Sequence, residues 1–365
     1  MREKIKVAIA GVGNCASAFI QGIEFYRERP DAYGLMHQDI GGYGPSDVEI
    51  VAAFDVAVGK VGERLDKAMF SLLNCTKRFY TGEVNNYPVI VRMGPVADGV
   101  AEHMPTYHQQ DVEYVVSDEE PCDVASVLRE TEAEVLINYL PVGSETAART
   151  YAQACLDAGV SFMNAMPTFI VSDETWGQKF AEAGIPAIGD DIKSQVGATI
   201  VHRVLTRLFQ QRGVNLSKTY QLNFGGNSDF YNMLSRERLT TKKLSKTNSV
   251  QSQLEIPLPA DQVHISPSDY VTWLKDNKIC YIHMEGLGFG EVPLSIELKL
   301  SVEDSPNSAG VAIDAVRLLK LAQQRHIGGP LLAASAYLMK SPPIQYTDSI
   351  AADYVEEFIA GSRDR

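Results

Sequence analysis

The sequence predicts an α/β fold, a doubly wound parallel sheet that carries an inserted α+β domain. Three observations carry this expectation. Short apolar runs alternate with helical patterns through the first 215 residues. After Gly213 the format changes to strand patterns without helices between all of them. A long amphipathic pattern then resumes at Ser308. Strands alternating with helices imply a parallel sheet covered on both faces. The expected first domain is therefore discontinuous, residues 1–215 plus 305–365, with residues 216–304 inserted.

The elements follow in order. Ile5–Ala10 is an apolar run closed by Gly11, and residues 16–29 have helical spacing. Residues 49–54 form a second strand ending at Asp55. Residues 135–140 lead into Pro141-Val-Gly-Ser144, with Ser144 suited to cap a helix. Residues 161–165 repeat that format, with Ser172 as the next cap. Residues 185–188 end at Gly189-Asp-Asp191. The helix that follows places Val196, Ile200, Val201, Val204, Leu205, Leu208 and Phe209 on one face, and Gly213 suits its end. Residues 219–224, 262–265, 279–284 and 292–302 read as strands of the insertion. Residues 308–325 return to helix, ended by Gly328-Gly-Pro330.

Composition bounds the function. The 365 residues carry a formal charge of −13, and 45% are hydrophobic against 22% charged. The mean hydropathy is −0.11 and the pI about 5.1. An acidic surface argues against nucleic acid or an anionic membrane as partner. Neither a signal segment nor a run of about 18 apolar residues is visible, so no membrane span is expected. The five cysteines (15, 75, 122, 155 and 280) are scattered, without zinc-finger spacing. A reduced cytoplasmic compartment is the simplest reading.

Gly11-Val-Gly-Asn-Cys-Ala16 fits G-x-G-x-x-[G/A] directly after a strand and at the start of a helix. Gly11 permits the turn, Gly13 lets the backbone approach a pyrophosphate, and Ala16 allows close helix packing. The helix N-terminus adds free N–H groups and positive dipole. This is the fingerprint of a Rossmann-type NAD site. Asp55 is the candidate ribose ligand, and its carboxylate favours NAD over NADP. Its separation from the glycines is about twice the ~20 residues usual for the motif, because residues 30–47 form a Gly/Pro/Asp-rich insertion. A strand-end Asp capping the next turn is the plain alternative.

Ligands of such sheets bind beyond the carboxyl ends of the strands. Three polar loops lie there: Asn138-Tyr-Leu-Pro-Val-Gly-Ser144, Asn164-Ala-Met-Pro167 and Gly189-Asp-Asp-Ile-Lys-Ser194. Two adjacent carboxylates and a lysine suit proton transfer or cation binding. One of Asp190 and Asp191 is expected to cap the helix and the other to face a ligand. Lys242 and Lys246 share a face if their segment is helical, though a lysine run alone usually marks a solvated surface. Lys340 lies in the apolar stretch Tyr337-Leu-Met-Lys-Ser-Pro-Pro343.

Taken together these segments resemble the myo-inositol-1-phosphate synthase family in its compact prokaryotic form. The matching stretches are residues 11–17, 139–144, 164–167, 189–199, 225–229, 242–246, 303–310 and 337–342, in order along nearly the whole chain. The most specific are Gly189-Asp-Asp-Ile-Lys-Ser-Gln195 and Lys242-Lys-Leu-Ser-Lys246. The Asn14-Cys15-Ala16 form of the glycine loop is similar to the actinobacterial branch, and the eukaryotic N-terminal extension is absent.

The resemblance implies conversion of D-glucose 6-phosphate to 1D-myo-inositol 3-phosphate. NAD oxidises C5, C6 is enolised, the enolate closes on C1, and the hydride returns to C5 without net redox change. Lys242, Lys246, Lys278 and Lys340 are then the cations for the phosphate and the developing oxyanions. Lys242 and Lys340 suit oxyanion stabilisation or proton transfer, while Lys246 and Lys278 share the phosphate and the C1 oxygen. The C6 proton passes to the substrate's own phosphate, so no histidine base is needed. Asp191 and Asp304 join the lysines as expected catalytic residues. The expected cofactor contacts are Gly11, Gly13, Asn14, Cys15, Asp55, Leu140 and Pro141 on the first half. Asp190, Lys193, Ser194, Asp229 and Ser305 follow. The resemblance also implies a homotetramer with contacts through the inserted sheet. Metal use varies in the family, so a divalent or monovalent cation is left open. The rival readings are a net NAD-dependent dehydrogenase of a phosphorylated sugar and a non-catalytic NAD-binding regulator. The dispersed lysines and the lack of a candidate catalytic histidine speak against the first.

Overall fold

The computed structural model describes residues 3–84, 88–109, 112–265 and 268–365, with the side chains of Arg236, Thr240, Lys242 and Lys243 outside that set. The chain begins β1 (Ile5–Ala10), α1 (Asn14–Glu28), β2 (Val48–Asp55), α2 (Leu65–Ala68) and β3 (Val91–Met93). A short hairpin, β4 (His108–Gln109) and β5 (Val112–Glu113), precedes α3 (Val124–Glu130). Then come β6 (Val135–Asn138), α4 (Glu145–Ala158), β7 (Ser161–Asn164), α5 (Glu174–Glu182), β8 (Pro186–Ile188) and α6 (Ala198–Gln211). The middle of the chain holds β9 (Asn215–Gly225), α7 (Ser228–Asn232), α8 (Thr240–Gln251), β10 (Val263–Ile265), β11 (Asp269–Tyr270), β12 (Asn277–Leu287) and β13 (Pro293–Glu303). The chain ends in α9 (Asp304–Gln324), β14 (Gly329–Pro330), α10 (Leu332–Leu338) and α11 (Asp348–Ala360).

The large sheet has the order β14-β8-β7-β6-β1-β2-β3, and its pairs are parallel. Its strands are buried on both sides, as parallel strands between helical layers must be. In β1, Ile5, Val7 and Ile9 enter one core, and Ala8 and Ala10 enter the other. The first core includes residues of α1, α9, α10 and α11, and the second those of α3, α4 and α5. This two-faced sheet is the α/β fold that the alternation predicts.

The returning helix α9 is buried nearly all round, including its charged Asp314 and Arg317. Arg317 pairs with Asp314 at 2.5 Å and donates to the carbonyls of His37 at 2.9 Å, Gln38 at 3.2 Å and Tyr43 at 3.1 Å. A buried guanidinium is tolerable only with such a full set of acceptors. It ties the insertion before β2 to the core helix.

The second sheet runs β10-β9-β12-β13, with β11 also on β9. The β9–β12 and β12–β13 pairs are antiparallel, whereas β10 and β11 lie parallel to β9. Strand β9 and the helix α6 packed on it reverse the ordinary inside–outside rule. On β9 the inward residues Thr219, Gln221 and Asn223 are polar and buried, while Tyr220 on the other face is 39% exposed. On α6 the buried set is Ala198, Thr199, His202, Arg203, Thr206 and Phe209. The apolar stripe expected to face inward is only partly used. Val201 and Leu205 pack against the small core with Phe209, but Val196, Val204 and Leu208 are exposed, and Val196 precedes the helix. The helix turns its polar side to the polar side of β9 because hydrogen bonds between them satisfy both.

His202 is the centre of that contact. Its Nε2 lies 2.8 Å from Thr219 Oγ1 and its Nδ1 3.2 Å from Gln221 Oε1. Burial pushes its pKa down from 6.5 to about 4. The unfolded chain takes up this proton near pH 6.5 and the folded chain refuses it until about 4. Stability therefore falls as pH drops through that window, by on the order of 3 kcal/mol in full. His202→Gln should flatten the decline in unfolding free energy between pH 6.5 and 4, measured by denaturant titration. An unchanged decline would show that His202 does not set it.

Candidate active site

Beyond β1 the sheet changes winding direction, since β2 follows on one side and β6 joins on the other. A crevice opens at such a switch point. Gly11, at φ +95, lies against the β6 loop, where a Cβ would stand 2.8 Å from Tyr139 O. No other residue fits there. At Gly13 a Cβ would meet nothing within 4 Å, and this residue caps α1 without a side-chain hydrogen bond. The N-terminus of α1, without a side-chain cap, thus borders the cleft, a position that suits a phosphate.

The cleft here is lined by Gly11, Gly13, Asn14, Cys15, Asp55, Leu140 and Pro141, seven of the expected cofactor contacts. Asp55 also does the local work of a capping residue. It accepts from Val12 N–H and Val56 N–H at 2.8 Å and Ala57 N–H at 3.0 Å, with Lys60 Nζ at 3.6 Å. It lines the cleft at the same time. Asn14 lines the cleft, while its Oδ1 accepts from Cys75 N–H at 2.7 Å and Thr76 N–H at 3.0 Å. The far wall is supplied by Asn227, Asp229, Asn232, Asp304 and Ser305. Asn232 is buried, and its Oδ1 has no hydrogen-bond partner among the described residues. An acceptor so placed fits a polar ligand in the cleft.

A second cavity adjoins the first and is lined by Asp191, Ser194, Asn223, Lys246, Lys278 and Lys340 among others. The two share Cys15, Met166, Asp229 and Asp304 as walls. Lys246 projects from α8 and is buried. Lys242 lies one turn earlier on the same helix, and its side chain is outside the described residues. Lys340 Nζ donates to Asp191 Oδ1 at 2.8 Å, and Ser245 Oγ donates to Asp191 Oδ2 at 2.6 Å. Lys278 Nζ donates to Asp304 Oδ1 at 3.2 Å. Burial disfavours the charged Lys278, but Asp304 outweighs it and the pKa is raised. Lys278 therefore keeps its positive charge at neutral pH. Cys15, by contrast, is a poor nucleophile, since burial and nearby carboxylates push its thiol up to about 12.

The structure places three expected cofactor contacts elsewhere. Asp190 does not reach the cleft. Its buried carboxylate accepts from Ile170, Val171 and Ser172 N–H at 3.0 to 3.1 Å and from Asn164 Nδ2 at 2.7 Å. Burial pushes its pKa up to about 6 despite these donors. Neither aspartate caps α6, whose cap is Gly197. Lys193 points to the end of the chain, donating to Ala336 O at 2.8 Å and Asp348 Oδ1 at 3.2 Å. Burial, reinforced by Arg203, lowers its pKa to about 7. Ser194 lines the lysine cavity and not the cofactor cleft.

The capping serines differ as well. Ser144 heads α4 without a side-chain cap bond, and Asp98 accepts from Thr146 and Ala147 N–H instead. Asp173, not Ser172, caps α5. Sequence reasoning missed Lys60, Tyr139, Met166, Asn223, Asn227, Asn232 and Ser245 as site residues. Ser245 and Met166 lie inside segments singled out above, but Lys60 carries no local signal. Among the described residues, no group of three His, Cys, Asp or Glu is placed to hold a metal ion.

The sequence model of the myo-inositol-1-phosphate synthase family matches residues 197–305. The inositol-3-phosphate synthase of Mycobacterium tuberculosis (strain CDC 1551 / Oshkosh) is 54% identical over 361 residues, covering 98% of this chain and 96% of that one. That of Corynebacterium glutamicum is 52% identical over 363 residues, covering 97% and 98%. The crystal structure of a myo-inositol-1-phosphate synthase-related protein from Thermotoga maritima superposes with a TM-score of 0.79 at 25% identity, over 98% of this chain and 99% of that one. By its full-length similarity to these synthases, the chain belongs to the myo-inositol-1-phosphate synthase family.

Proposed function

We propose that the protein is an inositol-3-phosphate synthase that converts D-glucose 6-phosphate to 1D-myo-inositol 3-phosphate. The observation that carries this reading is the shared wall. The cleft at the glycine loop and the cavity lined by Lys246, Lys278 and Lys340 meet at Cys15, Met166, Asp229 and Asp304. The residues fit NAD: the N-terminus of α1, without a side-chain cap, stands at Gly13, a carboxylate at Asp55, and an unused acceptor at Asn232. NAD, when bound, supplies the oxidant that takes a hydride from C5 and returns it to the same carbon.

The chain's own residues do the rest. Lys246, Lys278 and Lys340 give a cationic wall for a phosphate of about two negative charges and for oxyanions at C5 and C1. Fixed positive groups in a water-poor cavity are worth far more than in water. Asp191, with Ser245 behind it, holds the Lys340 ammonium in place to pass a proton to and from an alkoxide. Asp304 holds Lys278 at the end of the cavity nearest the cofactor cleft. Lys242 is proposed to join them from the same helix as Lys246. The C6 proton goes to the substrate's phosphate.

Assembly belongs to the same reading. The outer face of β9 and β12 carries Tyr220 stacked on His283 at 5.0 Å and Phe224 edge-on to Tyr281 at 6.3 Å. Such an aromatic face suits a second copy of the chain, as in a homotetramer. Among the described residues no helix is long and apolar enough to cross a membrane. The five cysteines are free thiols, which suits a cytoplasmic protein.

Two outcomes are expected. With glucose 6-phosphate and catalytic NAD, inositol phosphate should exceed the NAD supplied, with no lasting absorbance at 340 nm. Lys340→Ala should lower turnover about 10²- to 10³-fold, as for loss of one oxyanion donor, while NAD binding is kept. Stoichiometric NADH without cyclised product would favour the dehydrogenase. Separately, Tyr281→Glu should lower the assembly mass seen by light scattering, and an unchanged mass would exclude this face from the contacts.

A further inference from the structure

We propose that Asp276 is a positioning residue that clamps the cofactor cleft shut, so that the dinucleotide stays bound through a whole catalytic cycle. This rests on the reading that the cleft takes NAD. Asp276 lies one residue before β12 and is 1% exposed, and it lines neither the cofactor cleft nor the lysine cavity. It acts through its neighbours. Its Oδ1 accepts from Asn227 Nδ2 at 2.9 Å and from Ser305 Oγ at 2.9 Å, and its Oδ2 accepts from Ser305 N–H at 3.2 Å. Its backbone oxygen accepts from Asp304 N–H at 2.9 Å.

Asn227 and Ser305 are both walls of the cofactor cleft and come from opposite ends of the inserted segment. One carboxylate therefore fixes the loop before α7 and the first turn of α9 together. Asn227 passes this on, since its Oδ1 accepts from Asp229 and Phe230 N–H at 3.0 and 3.2 Å. Asp229 is one of the residues shared by the two cavities. Ser305 Oγ stands 3.9 Å from Cys15 Sγ in the glycine loop. The network thus crosses from the second sheet to the first.

The backbone around Asp276 is fitted for the same purpose. Gly226 N–H donates to Lys275 O at 2.8 Å, and Val271 N–H donates to Gly225 O at 2.8 Å. A Cβ at Gly226 would stand 2.4 Å from Val271 O and 2.5 Å from Lys275 N. The two loops touch with no room for a side chain. A carboxylate buried here is costly, and a neutral amide of the same shape does not replace it. Asparagine offers one oxygen, and its NH2 would face a donor at Ser305 or Asn227.

Retention matters because the reaction is redox-neutral. In its first half a C5 hydride goes to NAD and the hydroxyl proton is released, giving a ketone, NADH and H⁺. The second half needs that same NADH. If it escapes, the ketone is stranded and NADH appears in solution.

The test uses the full chain with Asp276→Asn, checked for folding by a thermal melt. Dissociation of NADH is followed by stopped-flow fluorescence during a chase with excess NAD. NADH released per inositol phosphate is read at 340 nm. The clamp predicts at least tenfold faster dissociation and a measurable NADH leak, neither of which loss of thermal stability alone would produce. Equal retention with no leak in folded Asp276→Asn overturns the proposal. A wild type that retains no NADH overturns the cofactor reading, and the clamp with it. Should the variant not fold, amide exchange on the wild type decides. NAD must slow exchange at Ser305 and Phe230, and unchanged rates overturn the clamp.

Discussion

The carboxyl edge of the large sheet hangs on one chain of buried hydrogen bonds. Asn138 at the end of β6 donates to Asn164 Oδ1 at the end of β7, at 2.8 Å. Asn164 donates in turn to Asp190 Oδ1 just beyond β8, at 2.7 Å. Leu140 N–H closes the near end on Asn138 Oδ1 at 3.1 Å, and the 170–172 turn closes the far end on Asp190. Every polar group on this edge must find a partner inside the protein. Because the ladder consumes Asp190, that residue is fixed in place, and the next one, Asp191, is turned to the lysine cavity at φ +63, a conformation aspartate adopts more readily than most. Lys340 is oriented through Asp191. The lysine wall therefore inherits its geometry from a purely structural ladder.

The second feature is how charge is buried. Lys278 remains protonated because Asp304 beside it outweighs burial, whereas for Lys193 burial, reinforced by Arg203, outweighs Asp348 and pushes it towards neutrality. The state of each lysine is set by the balance between burial and the charges around it. Asp348 completes the Lys193 and Arg203 cluster. Burial raises its pKa, but those two cations outweigh that, and its pKa is lowered overall. The cluster anchors α11 to α6 (Arg203 Nε to Asp348 Oδ2, 2.9 Å) and so supports the segment that presents Lys340. The polar interior of α6 and β9 serves the same end, since Gln221 and Asn223 carry their hydrogen bonds up to the cavity wall.

Much of this was legible in the sequence. The glycine loop declared itself because local backbone needs dictate glycine at residue 11. The five inner strands of the large sheet, β8, β7, β6, β1 and β2, declared themselves because both faces are apolar, whereas the short edge strands β3 and β14 carry too few residues to show a pattern. Lys246, Lys278 and Lys340 were found only through family resemblance, because nothing in their spacing says that they converge. The aspartate pair was seen, but which carboxylate faces the lysine cavity depends on the loop at 170–172, a tertiary partner. The α6 stripe was read as a core face, but part of it is left outside, because Thr219 and Gln221 on β9 offer His202 partners that no apolar face could. Asp276 left no local mark. Its partners, Asn227 and Ser305, are 49 and 29 residues away.

The proposed chemistry requires the cofactor cleft and the lysine cavity to act as one site, in which a hydride leaves and returns to the same carbon. The most direct measurement uses glucose 6-phosphate deuterated at C5, turned over in the presence of excess unlabelled NADH and NAD. The account predicts that the inositol phosphate keeps its deuterium. Loss of the label to the solution NADH would contradict it.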